Sequence, residues 1–185
     1  MVRTFVALLI PTEWAEFLGG IARGLAERTS GVSWVKPGNL HVTLRFLGDL
    51  GDSGVERAGE AVRRGVEGVP AFPAALGGLG GFPNLARPRV IWAGLTEGAE
   101  EATNLARSVN GALKDWGFGR PDKPFRAHLT LGRVREGARG LAALGECVLP
   151  PPPAPALLDR VALMKSELDP AGARYTPLLE VRLRR

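Results

Sequence analysis

A tetrapeptide that occurs twice constrains this chain more than any other feature: His41-Val42-Thr43-Leu44 and His128-Leu129-Thr130-Leu131. The sequence has two histidines in all, and both lie in this unit. Strand side chains alternate between faces, so His41 and Thr43 are expected to point one way and Val42 the other. The same split is expected for His128 and Thr130 against Leu129. Leu44 and Leu131 follow on the apolar side. Each unit then presents an imidazole beside a hydroxyl and anchors its strand in a core. Two such units in a chain of 185 residues can converge on one substrate.

The surrounding elements repeat as well. Residues 3–10 are apolar and stop at Pro11, which predicts a buried strand. Thr12 is placed to cap a helix whose apolar residues Trp14, Phe17, Leu18, Ile21 and Leu25 recur at helical spacing to about Arg28. Residues 31–39 read as a short extended piece with a turn at Pro37-Gly38, and residues 40–47 as the first histidine strand. Ser53 with Glu56 has the form of a capping box. It opens a helix with Val55, Ala58, Val62 and Val66 on one side and an end near Gly68. Residues 71–79 read as a strand and the glycine-rich residues 77–84 as a loop.

Residues 89–95 are the second strongly apolar strand. Thr96 is placed to cap a helix carrying Ala99, Ala102, Leu105, Ala106, Val109, Leu113 and Trp116. Residues 117–124 read as loop and 125–134 as the second histidine strand. A short helix is expected over 137–144. The five prolines between 149 and 155 exclude regular structure there. Strands over 157–168 and 175–184, joined by a turn at 169–172, complete the chain. Strand, helix and histidine strand thus occur twice, with 36 residues from Phe5 to His41 and 38 from Val90 to His128. Two strand–helix–strand units related by a pseudo-two-fold axis are expected, within one domain over 1–185. Trp14, Trp92 and Trp116 are expected in the core, while Trp34 is a candidate for a substrate groove.

The net charge is +5 and the isoelectric point about 10.1, with arginine far outnumbering lysine. That balance permits a phosphate-bearing partner. The single cysteine, Cys147, cannot form an internal bridge, which fits a reducing cytoplasm. The short apolar stretch after Met1 reads as a strand rather than a signal peptide, and no apolar run approaches a membrane span. A cytoplasmic protein is expected, with no membrane association and no protein partner implied.

The text around the two units resembles the two-histidine phosphoesterase superfamily, and within it the 2′-5′ RNA ligase-like branch of RNA 2′,3′-cyclic phosphodiesterases. The likeness is carried by Trp34-Val35-Lys36-Pro37-Gly38-Asn39-Leu40-His41-Val42-Thr43-Leu44-Arg45-Phe46-Leu47-Gly48 and by Phe125-Arg126-Ala127-His128-Leu129-Thr130-Leu131-Gly132-Arg133. Pro88 to Gly94 and the ending from Ser166 to Leu178 are similar too. Ala127 departs from the proline common before the second histidine, a change that touches no chemical group. The resemblance implies an α+β fold of two lobes, with antiparallel sheets flanking a central cleft and helices outside.

The resemblance further implies His41 as general acid and His128 as general base in opening an RNA 2′,3′-cyclic phosphate to a 2′-phosphate. Thr43, Thr130 and Arg133 are implied around the phosphoryl oxygens. Two imidazoles suit the chemistry because their unperturbed pKa lies near neutrality. The residues alone do not say which is acid and which base. Arg133 lies an odd number of positions from His128 and would face away in a regular strand, so reaching the site requires a twist, a bulge or a strand end. Phe46 is placed either to stack a nucleobase or to join the core. Arg45, Arg126, Arg135 and Lys36 flank the motifs as candidate phosphate contacts or as solvated charges.

No metal or cofactor is expected: His-x-Thr supplies no further ligand at a zinc spacing, and the glycine run 77–81 lacks the lysine and helix of a phosphate-binding loop. The expected substrate is RNA with a 2′,3′-cyclic phosphate end, with reverse 2′-5′ ligation open to the same groups. Two other readings remain: a phosphodiesterase for small cyclic phosphates of nucleotide or ADP-ribose type, and a non-catalytic single-stranded RNA-binding module.

Overall fold

The computed structural model describes residues 1–169 and 172–185. Its elements are β1 (Val2–Leu9), α1 (Thr12–Arg28), β2 (Ser30–Trp34), β3 (His41–Leu50), α2 (Asp52–Val66), β4 (Phe72–Phe82), β5 (Val90–Glu97), α3 (Ala99–Asp115), β6 (Leu129–Arg139), β7 (Ala156–Leu158), β8 (Arg160–Asp169) and β9 (Gly172–Arg182). The strands run antiparallel to their neighbours in the order β7-β4-β5-β6-β3-β1-β8-β9, and β2 adds to β6.

That order is symmetric about its middle. β3 and β6, the histidine strands, lie at the centre, flanked by β1 and β5, then β8 and β4, then β9 and β7. The unit β1–α1–β3 is mirrored by β5–α3–β6, as the spacing of the sequence predicts. The two halves meet at one paired position, Val42 opposite Leu129, and both side chains are fully buried. Further along, β6 pairs with β2 instead of β3. The halves therefore join at the centres of the two tetrapeptides and diverge on either side, which makes two lobes with a cleft between them.

Helical periodicity places the apolar faces as expected. α1 buries Trp14, Leu18, Ile21 and Leu25, and α3 buries Leu105, Val109 and Leu113. Each fully buried side chain of this size stabilises the fold by about 1.5–3 kcal/mol. Their polar faces stay in water, so the helices clothe the sheet and leave its cleft face open.

Helix starts differ from the sequence expectations. Thr12 is already helical, behind Pro11; α2 starts behind Gly51 and α3 behind Gly98; no side chain caps any of the three. Ser53 lies inside the first turn of α2, so Ser53 and Glu56 form no capping box. Thr96 continues β5, where its hydroxyl donates to the Leu76 carbonyl at 3.3 Å. The chain then turns at Gly98, with φ 82° and a Cβ position only 2.6 Å from that of Ala74, so glycine replaces a capping side chain there.

Residues 77–82 of the run 77–84 are strand, because β4 continues to Phe82, and only Pro83 and Asn84 leave it. A Cβ at Gly80 would lie 2.1 Å from the Trp92 ring, so the bare backbone makes room for an indole lying against the strand. Residues 125–128 precede the ladder of β6, which runs to Arg139, and only a 3-10 turn at Leu141–Leu144 follows where a helix was expected. The expected strand 157–168 is two strands, because the chain passes at Asp159 from pairing with β4 to pairing with β1 and β9. The expected turn at 169–172 includes Pro170 and Ala171, which lie outside the described residues. Trp116 is 40% exposed beyond the end of α3, not core. Trp34 packs over Gly132, on the side of β6 away from the histidines.

Candidate active site

The seam fixes what shares the cleft. With Val42 opposite Leu129 and both buried, the register puts Thr130 across from His41 and His128 across from Thr43, all on the other face. The four side chains that the sequence singles out in the tetrapeptides are thus gathered by one strand crossing.

A pair of matched bulges brings two more residues to that face. Between β1 and β3 the register steps from Val6 opposite Arg45 to Ala7 opposite Thr43, which leaves Leu44 without an opposite number. Between β5 and β6 it steps from Ile91 opposite Gly132 to Trp92 opposite Thr130, which leaves Leu131 likewise. The bulged residue is the final leucine of each tetrapeptide. A bulge reverses the alternation beyond it. Phe46 and Arg133, each five positions past a histidine, therefore return to the cleft face, while Arg45 and Gly132 turn inward. The parity objection to Arg133 is removed by this bulge. Phe46 is 59% exposed, so it is a wall of the cleft and not a core residue.

Both imidazoles are anchored in the same way. Nδ1 of His41 lies 2.7 Å from the Asn39 carbonyl and Nδ1 of His128 lies 2.7 Å from the Arg126 carbonyl. A carbonyl only accepts, so each Nδ1 carries a proton and each Nε2 is left for chemistry. Nε2 of His41 is 2.9 Å from the Thr43 hydroxyl, and that of His128 has no partner among the described residues. Both pKa values lie below 6.5. For His41 the main cause is burial, opposed by the Asn39 bond and reinforced by the second imidazole. For His128 it is again burial, opposed by the Arg126 carbonyl and reinforced by the guanidinium groups of Arg133 and Arg126.

The walls contain residues that the sequence reading passed over. Phe5 stacks on His41 with centroids 4.8 Å apart, and Tyr175 meets the same imidazole edge-on at 5.6 Å. Across the cleft Phe82 meets His128 edge-on at 5.1 Å and Trp92 does so at 6.2 Å. Trp92 is therefore half-buried beside the site rather than in the core. Strand alternation can find Phe5 and Trp92 once the register is known. Tyr175, the only tyrosine, carries no local signal.

Arg45, a candidate phosphate contact, is instead turned away by the bulge and 8% exposed. It donates to the Asn110 Oδ1 at 3.0 Å, to the Phe118 carbonyl at 2.9 Å and to the Phe46 carbonyl at 3.2 Å, and Asn110 donates to the Leu44 carbonyl. The guanidinium thus ties the first bulge to α3 and the segment after it. Arg45→Met leaves these three partly buried acceptors without their donor and is expected to lower unfolding free energy by about 3 kcal/mol in urea denaturation. Unchanged stability would contradict this clamp.

The sequence matches the family of LigT-like phosphoesterases over residues 8–92 and 94–175. It is 35% identical over 185 residues to the RNA 2′,3′-cyclic phosphodiesterase of Methanothermobacter thermautotrophicus, a match covering 98% of this chain and 99% of that one. The protein of the same name from Thermotoga maritima is 32% identical over 179 residues, covering 97% and 94%. The fold is similar to the crystal structure of E. coli LigT complexed with 3′-AMP, with a TM-score of 0.77, 26% identity, and coverage of 100% of this chain and 99% of that one.

Proposed function

The chain belongs to the LigT-like phosphoesterases, and from that premise we propose that it hydrolyses RNA 2′,3′-cyclic phosphate termini to 2′-phosphomonoesters with His41 and His128 as an acid–base pair. The observation that carries this reading is the matched anchoring of two Nδ1–H imidazoles on either side of one strand crossing. Both Nε2 atoms are left to face a group lodged between them.

In this reading a water attacks phosphorus as Nε2 of His128 takes its proton. The bond from phosphorus to the ribose 3′ oxygen breaks, and Nε2–H of protonated His41 gives that oxygen its proton. The phosphate stays on the 2′ oxygen. Arg133 and Arg126 favour neutral His128, as a base requires; no arginine acts on His41, whose one charged neighbour among the causes of its shift is the second imidazole. The cyclic diester brings a negative charge that stabilises His41 in its protonated form on binding. Thr43, Thr130 and Arg133 hold the phosphoryl oxygens, and Phe46 offers a ring for the terminal base. With a 5′-hydroxyl attacking phosphorus in place of water, the same two proton transfers open the cyclic phosphate and join two strands by a 2′-5′ linkage. The whole chain works as one two-lobed domain, in the cytoplasm.

The pH dependence tests the division of labour. The free enzyme needs neutral His128 and protonated His41, and both pKa values lie below 6.5. The rate should fall at low pH as His128 becomes protonated and at high pH as His41 loses its proton. A bell-shaped profile of kcat/KM with its optimum on the acid side of neutrality is expected. Bound anion raises the His41 pKa, so the alkaline limb of kcat should lie at higher pH than that of kcat/KM. Coincident alkaline limbs, or an optimum of kcat/KM well above neutrality, would count against the assignment.

A further inference from the structure

The internal repeat supplies its own comparison. Relative to each histidine, the positions two before, five after and seven after are Arg126, Arg133 and Arg135 in one lobe, and Asn39, Phe46 and Gly48 in the other. One wall of the cleft carries three cations where its symmetry mate carries none. All three arginines are exposed, and none forms an ion pair among the described residues. Arg133 and Arg126 both bear on the charge of His128, and the Arg126 guanidinium lies 5.8 Å from the centre of the Phe82 ring, which itself meets His128. Arg133 and Arg135 flank Val134, which packs on the core, so both project from the other face. They are about 7 Å apart along the strand, a reach that suits neighbouring phosphates of one nucleic-acid strand.

The opposite wall is aromatic: Phe5 and Tyr175 flank His41, and the exposed Phe46 lies against Phe5. A nucleoside suits that side and a run of phosphates suits the arginine side. We propose that the arginine wall is a track for the phosphodiesters upstream of the cyclic end, with Arg135 and Arg126 as the residues that favour an RNA strand over a mononucleotide. The proposal rests on the cyclic phosphodiesterase reading above. In it Arg133 serves the reacting phosphate, while Arg135 and Arg126 hold the next ones.

The test compares a short oligoribonucleotide ending in a 2′,3′-cyclic phosphate with a nucleoside 2′,3′-cyclic monophosphate, which has no upstream phosphate. Wild type should have at least a ~10-fold higher kcat/KM on the oligonucleotide. With two single-strand phosphate contacts, kcat/KM on it should fall about sevenfold between ~50 and ~200 mM salt, while the mononucleotide value barely moves. Arg135→Glu should raise KM for the oligonucleotide by about tenfold and leave mononucleotide turnover unchanged. Arg107→Glu on the outer face of α3, which alters net charge equally, should do neither. Equal effects of Arg135→Glu on both substrates, or an oligonucleotide advantage that survives it, would overturn the track alone. No turnover of either substrate by wild type would overturn the hydrolysis reading and the track with it.

Discussion

His128→Ala is expected to lower kcat on a cyclic-phosphate-ended RNA about a thousandfold, and His41→Ala by a similar factor, with both variants folded. Each imidazole is partly buried on the cleft face, so its removal leaves the buried seam of Val42 and Leu129 intact and should cost about 1 kcal/mol of stability or less. Groups that act as a unit are non-additive, so the double variant should be hardly slower than either single one. The two singles should part company on a substrate whose leaving group is acidic enough to depart without a proton, such as a nitrophenolate. There His41→Ala should regain most of the lost rate and His128→Ala should not. Near-wild-type turnover by both single variants on RNA would contradict the paired mechanism. Rescue of His128→Ala instead of His41→Ala would exchange the two roles.

Arg133→Met should reduce kcat/KM by about a hundredfold, because it removes the guanidinium that the proposed mechanism sets against charge on the phosphoryl oxygens. It carries a second signature. Arg133 helps hold the His128 pKa down, so its removal should move the acid limb of the kcat/KM profile to higher pH. Arg133→Lys keeps the charge and loses the planar fork, so it should restore the position of the limb but only part of the rate. A loss of rate with the acid limb unmoved would mean that Arg133 acts through folding rather than through the site.

The candidate site was legible before the fold because it is written in period two. His-x-Thr places imidazole and hydroxyl on one face without any knowledge of the partner strand, and the nearly equal spacing of strand, helix and histidine strand exposed the two-fold repeat. Arg133 and Phe46 were harder for one reason. The bulges at Leu44 and Leu131 are properties of register between strands far apart in sequence, and a leucine in a bulge looks like any other. Helix starts were misread because Thr12, Ser53 and Thr96 have the right side chains, yet glycine or proline backbone occupies the capping position. The glycine run of β4 read as a loop because the group that fills its empty face, the Trp92 ring, comes from the next strand. Arg45 is a candidate phosphate contact in the sequence because it flanks the first motif; the bulge at Leu44 that brings Phe46 out turns it inward.

The central claim is that one phosphate lodges between His41 and His128, and that the acid on the first lobe releases the 3′ oxygen. Its most direct test is product analysis with an oligoribonucleotide ending in a 2′,3′-cyclic phosphate, separating the 2′- and 3′-phosphomonoesters. The account predicts the 2′-phosphate as the sole product, lost together with activity in His41→Ala. A 3′-phosphate product, or an even mixture, would contradict it.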